Sequence, residues 1–215
     1  DSFKPVTKYF DRITRPEQII QSLPQAIQTM LDPADTGPAC LSLCQDVQGE
    51  IFDYPEEFFK ERIHNIRRPK PDDFQIKQAM EKIKKSKKPI IISGGGVFYS
   101  DAMDELGSFA IKHNIPVTQT VMGYSTMKRD HSHFLGPIGG LGGRAANNLA
   151  KETDLAICVG TKLADFTTGS WANFENPEFK LVSINIARHD ANKHLAEAVI
   201  GCLLYTSPSP RDRYG

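Results

Sequence analysis

The stretch that decides the fold is PIIISGGGVFYS, residues 89–100. Three consecutive isoleucines lead into three consecutive glycines, which is the pattern of a fully buried strand that passes into a tight loop. A second stretch of this kind, DLAICVG, occupies residues 154–160. Unbroken apolar strands are typical of parallel sheets that have helices on both faces. We therefore predict a parallel α/β domain built around these two stretches.

Amphipathic segments alternate with apolar strands over residues 71–201. The first, DDFQIKQAMEKIKKSKK, has acids in its first turn and lysines in its last, as the helix dipole favours. Further helices are predicted in SDAMDELGSFAIKHN, GGRAANNLAKET and DANKHLAEAV, and further strands in IPVTQTV and KLVSINI. This alternation predicts a three-layer, Rossmann-like domain with a parallel sheet.

Residues 1–70 are predicted to be the end of another α/β domain. The segment TRPEQIIQSLPQAIQTML has apolar residues at helical spacing, and we expect Pro24 to split it into two short helices. A short strand is predicted in ACLSLCQDV, and the polar, proline-containing RIHNIRRPKPDD is interpreted as a linker. A domain boundary is therefore expected near residue 70.

The final segment, CLLYTSPSPRDRYG at residues 202–215, abandons the alternation where a strand should pass into a turn. We interpret these residues as a non-native tail and leave them out of the fold prediction. The chain is then expected to be a fragment that is truncated at both ends.

Composition excludes several classes of partner. The 215 residues contain 26 basic and 26 acidic side chains, so no charge excess points to nucleic acid or to an anionic membrane surface. No apolar run approaches the roughly 20 residues that span a bilayer. Four scattered cysteines are too few for a disulfide framework, which favours a cytoplasmic protein. Cys40 and Cys44 are interpreted as buried apolar residues and not as a pair of metal ligands.

The glycine loop at residues 93–100 could pack tightly or hold a phosphate. Gly94 and Gly96 suit a dinucleotide loop, but Tyr99 stands where the third glycine of that motif belongs. The next strand ends in TQTVMG, without an acid that could bind a ribose hydroxyl. Tight packing of strand against helix is therefore favoured, with a bound nucleotide as the alternative.

A second glycine loop matches the pattern G-x-G-x-x-A through Gly140, Gly142 and Ala145. The motif requires a preceding strand, and we predict none in HSHFLGP at residues 131–137. Packing is again favoured over a bound nucleotide.

The loop TKLADFTTGSW, residues 161–171, contains the only tryptophan. Asp165 is expected to cap the loop, with contact to a substrate as the alternative. Trp171 is expected to be a packing anchor and not a platform for substrate. Three hydroxyl groups are also available, on Thr167, Thr168 and Ser170.

Histidines give no metal site at this stage. His131 and His133 lie in the polar segment KRDHSHF, and no third ligand follows from the spacing. We assign no catalytic, cofactor-binding or metal-binding role to any residue of the chain.

Four segments together resemble the thiamine-diphosphate-dependent enzyme superfamily. They are GPACLSLCQDVQGEIFDYPEEFF, PIIISGGGVFYS, AANNLAKETDLAICVGTKLADFTTGSW and KLVSINIARHDANKH. The resemblance covers almost all of residues 1–201. The glycine loop and DLAICVG are shared with acetolactate synthase and its relatives, whereas DFTTGSW and QDVQGEIFDYP are most similar to the hydrolases of myo-inositol catabolism.

The resemblance implies a protein of three α/β domains. Residues 1–70 would be the end of the pyrimidine-binding domain, and residues 71–201 the central domain. The intact enzyme would use thiamine diphosphate and Mg²⁺, bound by parts that are absent here, to cleave a ring C–C bond of a cyclic dione. Water would release a 5-deoxyglucuronate-type acid. A cytoplasmic homodimer or homotetramer is implied, and the fragment alone would be inactive.

Two alternatives stay open. The first is an acetolactate-synthase-like carboligase with FAD in the central domain, and the second is a nucleotide-binding module for NAD, FAD or ADP. One departure from the family pattern also bears on the subfamily: many relatives have Gly-Lys-Gly after the second central strand, whereas this chain has MGYST, with Tyr124 in place of the lysine.

Overall fold

The computed structural model describes residues 1–205 and contains two compact units. The division falls between Arg68 and Pro69. In the described part of the chain, no helix is both long and apolar enough to cross a bilayer.

The smaller unit contains two parallel strands and one helix. These elements are β1 (Tyr9–Ile13), α1 (Ile19–Leu31) and β2 (Ala39–Leu43). The two strands pair in parallel from Tyr9 opposite Ala39 to Ile13 opposite Leu43. Strand β1 was not predicted, because only Ile13 among its five residues is fully buried and its pattern is weak.

Helix α1 is continuous, so the prediction that Pro24 splits it was wrong. Pro24 lies in the second turn, and the N–H that it lacks would have paired with the carbonyl of Ile20 in the first turn. Only a bond at the beginning of the helix is lost. The helix therefore continues to Leu31.

The core of the smaller unit is thin. Among residues 1–68, all of which are described, the buried hydrophobic side chains are those of Ile13, Ala26 and Val47. Cys40 and Cys44 are only partly buried, so the expectation that both are buried was wrong. Ten large hydrophobic residues are exposed: Phe3, Val6, Leu23, Met30, Leu43, Ile51, Phe52, Phe59, Ile63 and Ile66.

The larger unit is built on a six-stranded parallel sheet. Its strands are β3 (Pro89–Ser93), β4 (Val117–Gln119), β5 (Phe134–Pro137), β6 (Leu155–Val159), β7 (Lys180–Asn185) and β8 (Glu197–Ile200). The spatial order is β5-β4-β3-β6-β7-β8, and every neighbouring pair is parallel. The chain thus runs outward from β3 in one direction and then returns to continue on the other side.

Helices cover both faces of this sheet, as predicted. They are α2 (Asp73–Lys85), α3 (Gly95–Tyr99), α4 (Met103–His113), α5 (Arg144–Glu152), α6 (Asp165–Thr168) and α7 (Arg188–Ala191). One buried cluster joins α2 and α4 to Ile91 and Ile157, and the other joins α5 to Ile90 and Ile92. Successive strand residues therefore face opposite helical layers, and the three-layer α/β fold is confirmed.

Local signals set the limits of the helices. The Asp72 carboxylate accepts hydrogen bonds from the N–H groups of Phe74 and Gln75, which caps α2. Helix α4 ends at Asn114, whose φ of 51° is left-handed. These are capping residues that sequence patterns favour at the beginning and end of a helix.

The predicted final helix is only partly present. Helix α7 ends at Ala191, and Glu197–Ile200 is a strand, so the helix prediction was wrong for the second half of DANKHLAEAV. His194 and Leu195 both have a φ of 59°, which ends helical geometry before the strand begins. Val199 is buried where β8 pairs with β7.

The last described residues pack into the larger unit. Cys202 and Leu203 are buried, and the Cys202 N–H donates to the Pro69 carbonyl at 2.8 Å. Residues 206–215 of the predicted tail lie outside the described residues. The non-native origin assigned to residues 202–215, like the roles assigned to residues 1–70 and 71–201, stays a prediction.

Candidate functional site

The candidate site of the larger unit is the edge of the sheet where the parallel strands end. Ligands of open α/β sheets bind at this edge because the connecting loops meet there. Four loops contribute, and they follow β3, β4, β5 and β6. The region between β3 and β6 is the point at which the strand order reverses direction.

At that reversal point the backbones of two loops are in direct contact. The Gly94 N–H donates to the Val159 carbonyl at 2.8 Å, and the Gly96 N–H donates to the Gly160 carbonyl at 2.9 Å. A Cβ on Gly94 would lie 2.4 Å from the Gly160 oxygen, and a Cβ on Gly96 would lie 2.7 Å from the Gly160 Cα. The contacts account for these glycines by packing, which was the favoured interpretation.

The second glycine loop follows a strand, which corrects the sequence prediction. HSHFLGP contains β5, an edge strand whose pairing with β4 shifts register between Val117 and Gln119. Its pattern was missed because Gly136 and Pro137 are poor strand formers. The strand–glycine loop–helix context of the G-x-G-x-x-A pattern is therefore present.

The donors of this second loop are nevertheless engaged within the protein. The Gly140 N–H donates to the Phe166 carbonyl at 2.8 Å, and the Gly142 N–H donates to the Gly139 carbonyl at 2.8 Å. The Asn147 carboxamide pairs with both the N–H and the carbonyl of Gly139, each at 3.0 Å. Packing against the loop that follows β6 therefore accounts for the glycine pattern.

Asp165 organises the loop that follows β6. Its carboxylate accepts a hydrogen bond from the Ser170 hydroxyl at 3.1 Å, and its carbonyl accepts one from the Ser170 N–H at 3.2 Å. The Thr168 hydroxyl donates to the same carbonyl at 3.2 Å, and Thr167 and Thr168 are both buried. These contacts are those of the loop-capping aspartate that was favoured, and they use hydroxyls that were expected to be available.

Trp171 packs against two rings that lie outside its own loop. Its ring centroid lies 5.8 Å from that of Phe174 and 4.7 Å from that of His194, and the side chain is 37% exposed. Ser170 and Trp171 have φ values of 54° and 67°, so the chain turns sharply here. These contacts agree with the interpretation of Trp171 as a packing anchor.

Large apolar side chains project from the same edge of the sheet into solvent. All four loops contribute to this set, which we call the carboxyl-edge apolar residues: Phe98, Tyr99, Val121, Met122, Tyr124, Leu141 and Phe166. Exposed apolar side chains from adjacent loops are typical of a surface that contacts a ligand or another protein segment. Sequence analysis did not single out this property, because these residues lie in loops or in helices of only four or five residues, which have no periodic pattern.

Asp154 lies at the opposite edge of the sheet, immediately before β6 begins. Burial opposes ionisation of this carboxyl, but hydrogen bonds from the Ser86 hydroxyl and from the N–H groups of Lys87 and Lys88 outweigh it and lower its pKa. In the sheet itself, burial raises the pKa of the Cys158 thiol. Neither group points to catalysis at the strand ends.

The described residues do not fit a metal–diphosphate site. Across residues 1–205, no three side chains of His, Cys, Asp or Glu are grouped so that they could hold a metal ion. The His131 and His133 rings lie 5.9 Å apart, and His133 Nε2 is paired with the Asn114 side chain at 3.0 Å. No chemical step through thiamine diphosphate or Mg²⁺ is therefore assigned to these residues.

Comparison with known sequences gives a family and several close relatives. The family described as "Thiamine pyrophosphate enzyme, central domain" matches residues 76–204. A "3D-(3,5/4)-trihydroxycyclohexane-1,2-dione hydrolase" of Clostridium perfringens (strain 13) is 48% identical over 201 residues, which cover 94% of this chain and 32% of the relative. The protein of the same name from Clostridium tetani is 48% identical over 200 residues, which cover 93% and 31%.

Solved structures show the same fold at low identity. A "putative thiamin diphosphate-dependent enzyme" from Mycobacterium smegmatis has a TM-score of 0.72 and 21% identity, and covers 94% of this chain and 38% of its own. A benzoylformate decarboxylase from Polynucleobacter necessarius has a TM-score of 0.74 and 20% identity, with the same coverage.

The family match covers more than half of the chain, and the parallel sheet with helices on both faces agrees with it. The chain spans about a third of the length of the curated relatives that it matches. It belongs to the thiamine pyrophosphate enzyme family, whose central domain it contains.

Proposed function

We propose that this chain is part of a thiamine-diphosphate-dependent hydrolase that cleaves a ring C–C bond of 3D-(3,5/4)-trihydroxycyclohexane-1,2-dione. The product would be 5-deoxyglucuronate, formed during myo-inositol degradation. The observation that supports this proposal most strongly is the identity of 46–48% to proteins named for this activity, over 200 residues or more.

The similarity includes both compact units. The aligned segments cover 93–94% of the chain, so they include residues of the smaller unit as well as the central domain. The family model matches the central domain, so similarity confined to that domain would not distinguish one member of the family from another. The solved structures of other family members also cover 94% of the chain, but at only 20–21% identity. Identity of 46–48% over the same extent therefore favours the hydrolase over a more distant branch.

In this proposal the chain serves as a scaffold. Thiamine diphosphate and Mg²⁺ would be bound by other parts of the full-length protein, because residues 1–205 include no group of side chains suited to the metal. The carboxyl-edge apolar residues would contact those parts. We further propose a cytoplasmic homodimer or homotetramer for the full-length protein.

The test is a comparison of the full-length protein with the 215-residue chain. Each would be incubated with the cyclic dione, thiamine diphosphate and Mg²⁺, and the acid product would be measured by chromatography. We expect turnover by the full-length protein, loss of turnover when thiamine diphosphate and the metal are removed, and no turnover by the 215-residue chain.

Two results would overturn the proposal. Formation of acetolactate from pyruvate, with flavin absorbance in the purified full-length protein and no action on the dione, would select the carboligase alternative. Turnover of the dione by the 215-residue chain alone would show that the scaffold role is wrong. Size-exclusion chromatography with light scattering would measure the oligomer separately.

A further inference from the structure

Gln119, at the end of β4, has a buried polar atom without a partner. The residue is 7% exposed, and its main-chain carbonyl accepts a hydrogen bond from the Ile138 N–H at 3.0 Å. The side-chain Oε1 is shielded from solvent and accepts no hydrogen bond from residues 1–205. A buried acceptor that is left unpaired lowers stability, so an unpaired acceptor in a native protein points to a partner that the protein itself does not supply, such as a water, an ion or a ligand.

Gln119 forms part of the wall of a polar pocket. The pocket has a volume of about 260 Å³ and is lined by Gln119, Tyr124, Ser125, Met127, Lys128 and Arg129. Two of the lining side chains are cationic and none is acidic. The pocket therefore carries positive charge, and Gln119, whose Oε1 is unpaired, forms another part of its wall.

Both cations of the pocket are available to a ligand. Within residues 1–205, neither Lys128 nor Arg129 forms an ion pair. The Arg129 Nη2 donates to the Tyr124 hydroxyl at 2.5 Å, and its guanidinium carbon lies 5.6 Å from the centre of that ring. This contact orients the guanidinium, and its other N–H groups donate to no side chain or carbonyl in the described part of the chain.

The loop around the pocket is held firmly at its base. The Thr126 hydroxyl is fully buried, donates to the Gly123 carbonyl at 2.7 Å and pairs with the Ser93 hydroxyl at 2.8 Å. The Thr120 N–H donates to the Ser93 carbonyl at 2.9 Å. A loop that is anchored to the neighbouring strand in this way keeps the pocket formed without a ligand.

We propose that this pocket binds a small hydroxylated carboxylate, such as a sugar acid. The carboxylate would contact Arg129 and Lys128, and a ligand hydroxyl would donate to Gln119 Oε1. Rotation about the last side-chain bond of Gln119, a torsion with a broad preference, turns the oxygen toward the pocket. The unpaired oxygen requires a donor, which acetate lacks. The volume lies just below the range of ligand pockets, so the ligand is small.

The inference goes beyond the proposed function and does not depend on it. An acid of this class is also what the proposed reaction would release, so the pocket could respond to product. Binding to the 215-residue chain can be measured without turnover. A failure of the binding test would therefore leave the proposed activity untouched, and the reverse also holds.

The experiment is an NMR titration of the ¹⁵N-labelled 215-residue chain. D-glucuronate is the probe, and D-glucose, acetate and inorganic phosphate are the comparison ligands. We expect glucuronate to shift the side-chain amide signal of Gln119 and the side-chain signal of Arg129, with a dissociation constant roughly tenfold or more below that of acetate. Glucose should bind weakly because it lacks the charge.

Variants separate the two halves of the site. Arg129→Met and Lys128→Met should each weaken glucuronate binding roughly tenfold, and Lys128→Met leaves the Tyr124–Arg129 contact intact. Lys84→Met, an exposed lysine of α2, is the charge-matched control and should leave binding unchanged. Gln119→Met should reduce glucuronate binding to the level of acetate without lowering resistance to urea, because an unpaired acceptor has been removed.

Three outcomes would overturn the proposal. Glucuronate that leaves the Gln119 and Arg129 signals unchanged would mean that the unpaired oxygen is satisfied by water alone. Equal binding of acetate, phosphate and glucuronate would mean a simple anion site without a role for Gln119. An effect of Lys84→Met equal to that of Lys128→Met would mean attraction by the overall charge of the chain.

Discussion

The two units of this chain differ strongly in how many hydrophobic side chains they bury. In the larger unit every strand lies in one parallel sheet, and isoleucines and valines from successive positions fill two separate cores. In the smaller unit two strands and one helix leave only three hydrophobic side chains buried and ten large ones exposed. The difference teaches that secondary structure alone does not give stability, because the apolar area removed from water is what opposes chain entropy.

The largest contrast should appear in hydrogen exchange. Amides of β3, β6 and β7 lie in the centre of the sheet, whereas those of β1 and β2 lie in a two-stranded sheet with a thin core. We expect the central amides to exchange roughly a thousandfold or more slowly, because they open only on global unfolding. Mass spectrometry of the 215-residue chain measures this directly. Equal protection of both units would break the comparison.

The contact between the Gly96 and Gly160 backbones in the larger unit allows the comparison of the two units to be tested with a single added methyl group. Gly160→Ala places a Cβ 2.7 Å from the Gly96 Cα at a φ of +60°, and we expect a loss of more than about 3 kcal/mol in the free energy of unfolding. Fluorescence of Trp171, the single tryptophan, reports the larger unit in a urea titration.

The matched control lies in the smaller unit. A Cβ on Gly49 would meet no atom within 4 Å. Gly49→Ala should therefore change the opening free energy of β1 and β2, obtained from their hydrogen exchange, by less than about 0.5 kcal/mol. A similar cost for Gly49→Ala and Gly160→Ala would show that the glycine contact at the strand reversal is not the reason for the loss.

Truncation of core side chains should give the next largest difference. Ile157 is 2% exposed in the central strand β6, and Ile157→Ala should cost about 2–4 kcal/mol through lost burial and a cavity. Leu41 in β2 is only partly buried, and Leu41→Ala should cost less than about 1 kcal/mol. Urea unfolding measures the loss for Ile157→Ala, and hydrogen exchange of β1 and β2 measures the loss for Leu41→Ala. A larger loss for Leu41→Ala would contradict the account of the thin core.

The smallest expected effect concerns two aspartates that each accept a serine hydroxyl. Asp154 also accepts two N–H groups from a segment 66 and 67 residues away in sequence, whereas Asp11 accepts the N–H of its neighbour Arg12. Asp154→Asn should therefore lower stability at pH 7 by about 1 kcal/mol, and Asp11→Asn by less.

The pH dependence of this effect has a definite sign. Because the pKa of Asp154 is lowered on folding, its contribution is complete above the unfolded value of about 4 and is lost as pH falls through the lower folded value. The stability difference between the native chain and Asp154→Asn should shrink below about pH 4. A difference that stays constant from pH 7 to the acid limit would show that ionisation of this carboxyl is not involved.

Sequence patterns predicted the central strands well and the edge strands poorly. Strands β3, β6 and β7 are buried on both faces and therefore have nearly continuous apolar sequences. The segments PIIIS, LAICV and KLVSIN can thus be recognised as strands from sequence alone. Strand β5 contains Gly136 and Pro137, and β8 follows a helix-like segment, so neither has a clear period. These strands form because a neighbouring strand supplies hydrogen-bond partners, which a local pattern does not contain.

The candidate site shows the same limit. Gly94 and Gly96 were recognisable as positions of close packing, but sequence did not reveal that they contact Gly160 in the loop that follows β6. Gln119 was part of a predicted strand, IPVTQTV, where it stands between two other polar residues, Thr118 and Thr120, so no local pattern distinguished it. That its side-chain oxygen lacks a partner depends on every loop that surrounds it.

The sequence by itself determined the parallel three-layer architecture, because strand burial and helix periodicity are visible in consecutive residues. The family followed from the resemblance of four segments to known enzymes. Only the tertiary structure decided which glycines meet, that the hydroxyls of Thr168 and Ser170 pair with Asp165, and that Lys128 and Arg129 share a pocket with Gln119. The physical reason is that a periodic pattern shows only which face of a single helix or strand is buried. Contacts between loops depend instead on the relative position of several elements at once.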